Sequence, residues 1–308
     1  MKLSALNLSL IILISTALIS CNGTTGENNP VTYNSTGPSN GSLVIVGGAM
    51  QDTAIINRFI ELAGGPEARI VVIPTASGAE DFDSERVTAP FKTAGAASVT
   101  MAHTYDPEVA DTEEFAEPFS NATGVWFNGG RQWRLVDAYG GTITETVINR
   151  VLERGGVIGG SSAGATIQGD YLVRGDTEGN TIMMGDHVEG FGYMKNTAID
   201  QHLLVRNRQH DLVEVIQKYP SLLGIGLDEN TAIIVQGNEF EVLGESFVAV
   251  YDYNRWDENS AAEYPLTNGG HFFLLREGDR YDVASRKVTR WRGGNSRNIF
   301  SEENINSN

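Results

Sequence analysis

Short, almost uninterrupted apolar runs alternate along this chain with stretches of helical spacing. Residues 42–47 (SLVIVG) and 69–74 (RIVVIP) are apolar at nearly every position, as in strands buried on both faces. Between them Ile55, Ile56, Phe59, Ile60 and Ala63 recur at helical intervals. Residues 98–101 and 125–127 predict two more short strands, and 143–154 a helix closed by Gly155-Gly156. Residues 157–159 form the next apolar run. This alternation predicts an α/β fold, a mostly parallel sheet with helices on both faces. Ligands on such sheets bind beyond the carboxyl ends of the strands. The glycine pairs 47–48, 129–130 and 159–160 all follow apolar strands and fall on that edge.

The last third reads differently. Segments 224–228, 231–235, 240–243 and 247–251 are strands joined by tight turns, with Gln236-Gly237-Asn238 as a hairpin signal. They are expected to extend the sheet by antiparallel pairing. Residues beyond 295 are polar.

The densest chemical signal is Val157-Ile158-Gly159-Gly160-Ser161-Ser162-Ala163-Gly164-Ala165. Here a strand meets small residues only, and a helix-compatible stretch follows. Gly160, Ser162 and Gly164 fit the G-x-S-x-G elbow, which lifts a serine hydroxyl out of the sheet on a sharp turn. Ser162, not Ser161, is therefore the candidate nucleophile. A glycine-rich turn with incidental serines is the competing reading. A serine nucleophile needs a base and an orienting acid. Of five histidines, His202 stands in the richest setting. Asp200, Gln201, Arg206 and Arg208 surround it in sequence. A structural histidine beside surface arginines is the bland alternative.

The N-terminus changes the picture of where the domain works. Met1-Lys2 is a basic start, residues 3–20 carry no charge, and Leu18-Ile19-Ser20-Cys21 reads as a lipobox with Cys21 as the lipidated residue. Cys21 is the single cysteine, so no internal disulfide and no cysteine nucleophile are expected in the folded domain. Residues 21–41 are rich in Asn, Gly, Thr and Ser and predict a flexible tether. Residues 42–308 then form one domain. The expected product is an exported protein, lipid-anchored to a bacterial envelope membrane and touching that membrane only through the anchor. The net charge of −17 disfavours nucleic-acid binding. No metal-ligand spacing and no phosphate loop occur, and no cofactor is expected.

Four motifs in order carry a family resemblance. They are the Gly-Gly-Ser162 context noted above, Asp200-Gln201-His202, Phe127-Asn128-Gly129-Gly130-Arg131-Gln132, and Leu223-Gly224-Ile225-Gly226-Leu227-Asp228-Glu229-Asn230-Thr231-Ala232. Together they resemble the cyanophycinase and aspartyl dipeptidase family of serine peptidases, the cyanophycinase branch more closely. The resemblance implies a glutamine-amidotransferase-like α/β fold and hydrolysis of β-aspartyl (isopeptide) bonds, as in a β-aspartyl-arginine substrate. It implies Ser162 as nucleophile, His202 as base, and Glu178 as the acid with Asp176 in reserve. Gly130 and Ala163 would supply oxyanion N–H groups. Gln132, Asp200, Gln201, Arg206 and Arg208 would face substrate. A homodimer is left open. Two departures stand out. Arg131 occupies a position more often acidic or amide, and Asp211 stands where the family carries a third arginine. At helical i,i+3 spacing Arg208 and Asp211 are expected to neutralise one another.

Two other classes compete: an ester hydrolase of the α/β type, and a binding lipoprotein that keeps the fold without catalysis. A simple ester assayed beside a β-aspartyl dipeptide separates the first, and covalent labelling of Ser162 the second.

Overall fold

The computed structural model describes residues 32–51, 53–256, 262, 265–266 and 270–292. The proposed signal segment 1–20, Cys21 and the polar tail lie outside the described residues. All described residues fall in one compact unit, Thr32–Asn308.

In chain order the first strands are β1 (Ser42–Val46), β2 (Arg69–Ile73), β3 (Ser98–Met101), β4 (Gly124–Phe127) and β5 (Val157–Ser161). They are followed by β6 (Gly169–Tyr171), β7 (Met194–Gln201), β8 (Leu223–Leu227), β9 (Thr231–Gln236), β10 (Glu239–Gly244) and β11 (Phe247–Asp252). The last are β12 (Phe273–Arg276), β13 (Arg280–Asp282) and β14 (Lys287–Arg290). The α-helices are α1 (Thr53–Leu62), α2 (Ser84–Thr93), α3 (Pro107–Ala110), α4 (Glu113–Ser120), α5 (Trp133–Tyr139), α6 (Ile143–Glu153), α7 (Ala163–Thr166) and α8 (Asp211–Lys218).

The strands form a nine-stranded sheet in the order β14-β13-β10-β9-β1-β5-β4-β2-β3. Its β1-β5-β4-β2-β3 portion is parallel, and β9, β10, β13 and β14 extend it antiparallel. The mostly parallel α/β architecture read from the sequence is therefore observed. Strands β1, β2, β4 and β5 are apolar at nearly every position because alternate residues enter two different cores. Val44, Val46, Ile70, Val72 and Trp126 pack with Ile55, Phe59 and Ile60 of α1. Leu43, Ile45, Val71, Ile73, Val125 and Phe127 pack with Val147, Ile148 and Val151 of α6. Phe59 meets Trp126 edge-on at 5.0 Å. Truncating such a core ring to alanine costs about 3–5 kcal/mol. Helix α6 begins where Thr142 caps Glu145 N and the Glu145 carboxylate accepts from Gly141 N, a local signal at the start of the helix.

The expectation for the C-terminal strands holds for β9 and β10 and fails for their neighbours. β8 and β11 join β12, β7 and β6 in a second, five-stranded sheet. β7 pairs in parallel with β8, in register Asp200↔Gly226 and Gln201↔Leu227. Residues of β8 and β11 share the α6-side core, while Ala198, Ala249 and Tyr251 on the other face pack with Leu212, Val215 and Ile216 of α8. Strand β7 carries no apolar run, so the sequence did not signal it.

Residues 32–41 are not free linker. The sequence reads them as the end of a tether, yet Ser35 is fully buried and Thr36 exchanges backbone hydrogen bonds with Lys195. The Arg286 guanidinium donates to Ser35 Oγ, Asp252 Oδ1 and Ser221 O and lies 4.5 Å over the Tyr33 ring. Polar composition suggested a free linker. A buried arginine needing acceptors fixes it instead.

Candidate active site

The site is built where both sheets meet the turn after β1. Ser162 follows β5 directly and opens α7. Its backbone is at φ 58 and ψ −112, a conformation that costs a non-glycine residue about 1–3 kcal/mol and persists only when its surroundings enforce it. The flanking glycines explain how the turn closes. A Cβ on Gly160 would lie 2.3 Å from Gly164 O, and one on Gly164 would lie 2.0 Å from Phe127 O. Any side chain there would push the elbow open.

His202 follows β7, also at positive φ (55). Glu229 lies in the turn by which the chain leaves β8 in the second sheet and enters β9 in the first. Three consecutive carbonyls at the end of β1 and just beyond it hold these three segments. Val46 O accepts from Ser162 N, Gly47 O from His202 N, and Gly48 O from Asn230 N, at 3.0, 3.0 and 2.9 Å. Asp228 adds a second tie, accepting from Leu204 N, Val205 N and Ser246 Oγ.

The side chains so placed form a continuous relay. Ser162 Oγ lies 2.9 Å from His202 Nε2, and His202 Nδ1 lies 2.5 Å from Glu229 Oε1. A carboxylate only accepts, so the Nδ1 proton points to Glu229 and Nε2 is left to accept from the serine hydroxyl. Burial pulls the His202 pKa below its ordinary value. Glu229 acts in the opposite direction, and the Arg206 and Arg208 charges lower it further. The imidazole is thus neutral near pH 7, the form a general base requires. A Cβ at position 48 would fall 2.2 Å from His202 Cε1, so the ring is seated against a bare glycine.

Ala163, expected as an oxyanion donor, is the first residue of α7, where an amide has no carbonyl one turn back. Gly130 sits in the turn after β4 at φ 147. Its neighbour Gly129 lies against the serine, since a Cβ there would be 3.2 Å from Ser162 Cβ. A cavity of about 570 Å³ lined by Asn128, Gly129, Trp126, Phe82 and Arg86 opens on this side.

Other expected residues are differently employed. Glu178, expected as the acid, lies in the 176–180 loop, and the position on His202 Nδ1 belongs to Glu229. Asp176 is not on the imidazole either, since its Oδ1 accepts from the amides of Glu178 and Gly179. The family resemblance pointed to Glu178. Parallel pairing of β7 with β8 instead brings the end of β8 beside His202. The signal was visible, because Asp228-Glu229 closes an expected strand.

Three residues expected to face substrate are turned to the protein. Gln132 is buried and donates to Val173 O. Asp200 is fully buried and forks the Arg174 guanidinium at 2.7 and 3.0 Å. Gln201 accepts from Arg208 Nη1 at 2.8 Å. Arg206 is exposed, and with Arg208 it lines a cavity of about 660 Å³. The expected neutralisation of Asp211 by Arg208 is replaced by a 2.5 Å contact from Arg174 Nη2. Arg174 is only 2% exposed and carries two aspartates, because a guanidinium so deep must have its fork filled. Away from this site, His103 contacts Thr75 and His187 contacts Asp137 and Asp186. Among the described residues no group of three or more His, Cys, Asp or Glu side chains is arranged to hold a metal.

A strained serine at the carboxyl edge of a mainly parallel sheet, within hydrogen-bond reach of a neutral imidazole, is the framework of a serine hydrolase. The model of peptidase family S51 matches residues 43–243. A cyanophycinase of Geminocystis herdmanii is 30% identical over 253 residues, covering 78% of this chain and 93% of that protein. A cyanophycinase of Trichormus variabilis is 29% identical over 261 residues, covering 80% and 87%. The crystal structure of a peptidase from an acI-B1 Actinobacterium has a similar fold, with a TM-score of 0.58 at 22% identity, covering 79% of this chain and 96% of that one. This chain belongs to peptidase family S51 and is a serine-type peptidase.

Proposed function

We propose that the protein hydrolyses β-aspartyl bonds through a Ser162-His202-Glu229 triad and an acyl-enzyme. The observation that carries this reading is the unbroken relay from Ser162 Oγ through both ring nitrogens of His202 to the Glu229 carboxylate. The substrate class is supported by relatives named cyanophycinases that align over most of their length. In the acylation step His202 Nε2 takes the serine proton as Oγ attacks the carbonyl. Glu229 holds the imidazole in the working tautomer and stabilises the imidazolium that forms. Ala163 N–H and Gly130 N–H receive the developing oxyanion, each worth about 2.7–4 kcal/mol in a hydrolase. His202 then returns the proton to the leaving amine, and water repeats the sequence on the ester.

Product analysis by mass spectrometry, with cyanophycin and matched α- and β-aspartyl peptides, tests the reading. β-Linked substrates should be cut and their α-linked isomers spared, with all cleavage lost in Ser162→Ala. Equal cleavage of both linkages would remove the specificity, and cleavage by Ser162→Ala would remove the triad.

The chain acts at a bacterial envelope membrane, exported and anchored through acylated Cys21. This is supported by the uncharged run ending in Leu18-Ile19-Ser20-Cys21. Cys21→Ser should release the protein from the membrane fraction; continued fractionation with membranes would show that something else anchors it.

A further inference from the structure

The cavity of about 660 Å³ beyond His202 has opposed charges on its walls. On one side Arg206 and Arg208 follow β7. Arg206 is exposed and has no ion-pair partner among the described residues. On the other side Asp211 and Glu214 stand i,i+3 on the first turns of α8 and share one helix face. Asp211 Oδ2 accepts from Arg174 Nη2, yet the side chain stays 37% exposed, so its other oxygen remains for a ligand. The deeper charge is already balanced, since Arg174 is held by Asp200 and Asp211 together. A third arginine at 211 would make this cradle mainly cationic, with Glu214 its acid. Aspartate there sets two acids against Arg206 and Arg208.

The cavity is close to the reacting centre. Arg206 N donates to His202 O at 3.1 Å, and Arg208 Nη1 donates to Gln201 O at 3.1 Å. Both charges are near enough to influence the His202 imidazole.

We infer that this cavity binds the zwitterionic α-amino and α-carboxylate head of a β-linked aspartyl residue, so that the preferred substrate is a free β-aspartyl dipeptide rather than the interior of a polymer. The inference rests on the proposed β-aspartyl chemistry. In a β-linked dipeptide the aspartate keeps both α groups free and charged, both attached to the same Cα. Inside a polymer both are tied up in amides. The carboxylate would fork onto Arg206 and Arg208, and the ammonium would meet Asp211 and Glu214. A substrate lacking its carboxylate leaves the buried Arg208 charge without a counter-ion, and one lacking its ammonium leaves half-buried Asp211 without a second contact, which is how polar sites reject neutral analogues.

The test uses β-aspartyl-arginine, its N-acetyl derivative and its aspartyl α-carboxamide. Titration calorimetry on Ser162→Ala gives binding, and steady-state kinetics on the parent give turnover. The free dipeptide should bind at least about tenfold more tightly than either blocked form. The N-acetyl penalty should shrink in Asp211→Asn and in Glu214→Gln, the α-carboxamide penalty in Arg206→Gln. Glu214 lies on the surface, so its variant reads the cavity even if Asp211→Asn disturbs Arg174. Equal binding of all three ligands, or binding of none, overturns the inference. Selective binding of the free dipeptide without turnover in the parent upholds it and overturns the proposed reaction. Turnover of all three at one rate does the reverse.

Discussion

Glu229 Oε1 lies 2.5 Å from His202 Nδ1, across 27 positions of chain and a change of sheet. The imidazole arrives on β7 of the small sheet. The carboxylate stands where the chain crosses back to the large one, near Ser162 at the end of β5. If this contact sets the tautomer, Glu229→Gln should lower kcat/KM by about 10³–10⁴-fold with the fold intact. Glu178→Gln should stay within about twofold of the parent. Steady-state kinetics of the two variants side by side decide it; the opposite ranking would return the acid to the 176–180 loop.

The pH profile carries its own sign. The active form needs neutral His202, and burial with nearby arginines keeps its pKa below the ordinary 6.5. The acid limb of kcat/KM should therefore fall below pH 6.5. Arg206→Gln removes a charge that opposes protonation and should move the limb to higher pH. Glu229→Gln removes one that favours protonation and should move it lower. A limb unmoved by both changes would mean another group titrates.

Gly48 bounds the histidine ring. A Cβ would stand 2.2 Å from Cε1, and the residue is at φ 138. Gly48→Ala should displace His202 and reduce kcat at least tenfold, while circular dichroism stays unchanged. Retained activity would show that the ring can shift without leaving Ser162.

Residues 32–41 belong to the folded domain through the Ser35–Arg286 hydrogen bond and the Tyr33 ring. Removing residues 1–31 should leave Tm unchanged. Removing 1–41 should cost about 1.5–3 kcal/mol, the range for a hydrogen bond to a charged group, or about 2–4 °C for each kcal/mol. Equal melting points for the two truncations would restore the free-tether reading.

Asp211→Arg should not give the pocket a working third arginine. It would set a second guanidinium against Arg174, which keeps only Asp200. A lower Tm without a gain in kcat/KM is expected. Improved KM at unchanged Tm would mean that the new side chain turns away from Arg174 into the cavity.

The chain determined by itself whatever is local. Apolar runs placed β1, β2, β4 and β5 to within a residue or two, because strands buried on both faces leave few polar positions. The G-x-S-x-G spacing singled out Ser162, because contacts across the elbow leave no room for a Cβ at 160 or 164. The polar setting of His202 could be read as well. What the tertiary structure alone decided was who meets whom. β8 and β11 have the same apolar pattern as strands of the large sheet, and nothing in them says to which sheet they belong. That choice sets β8 beside β7, brings Glu229 rather than Glu178 to the imidazole, and turns Asp211 to Arg174 rather than Arg208. Pairing partners are selected by long-range packing and by the need to fill every buried charge, and neither is written in the neighbouring residues.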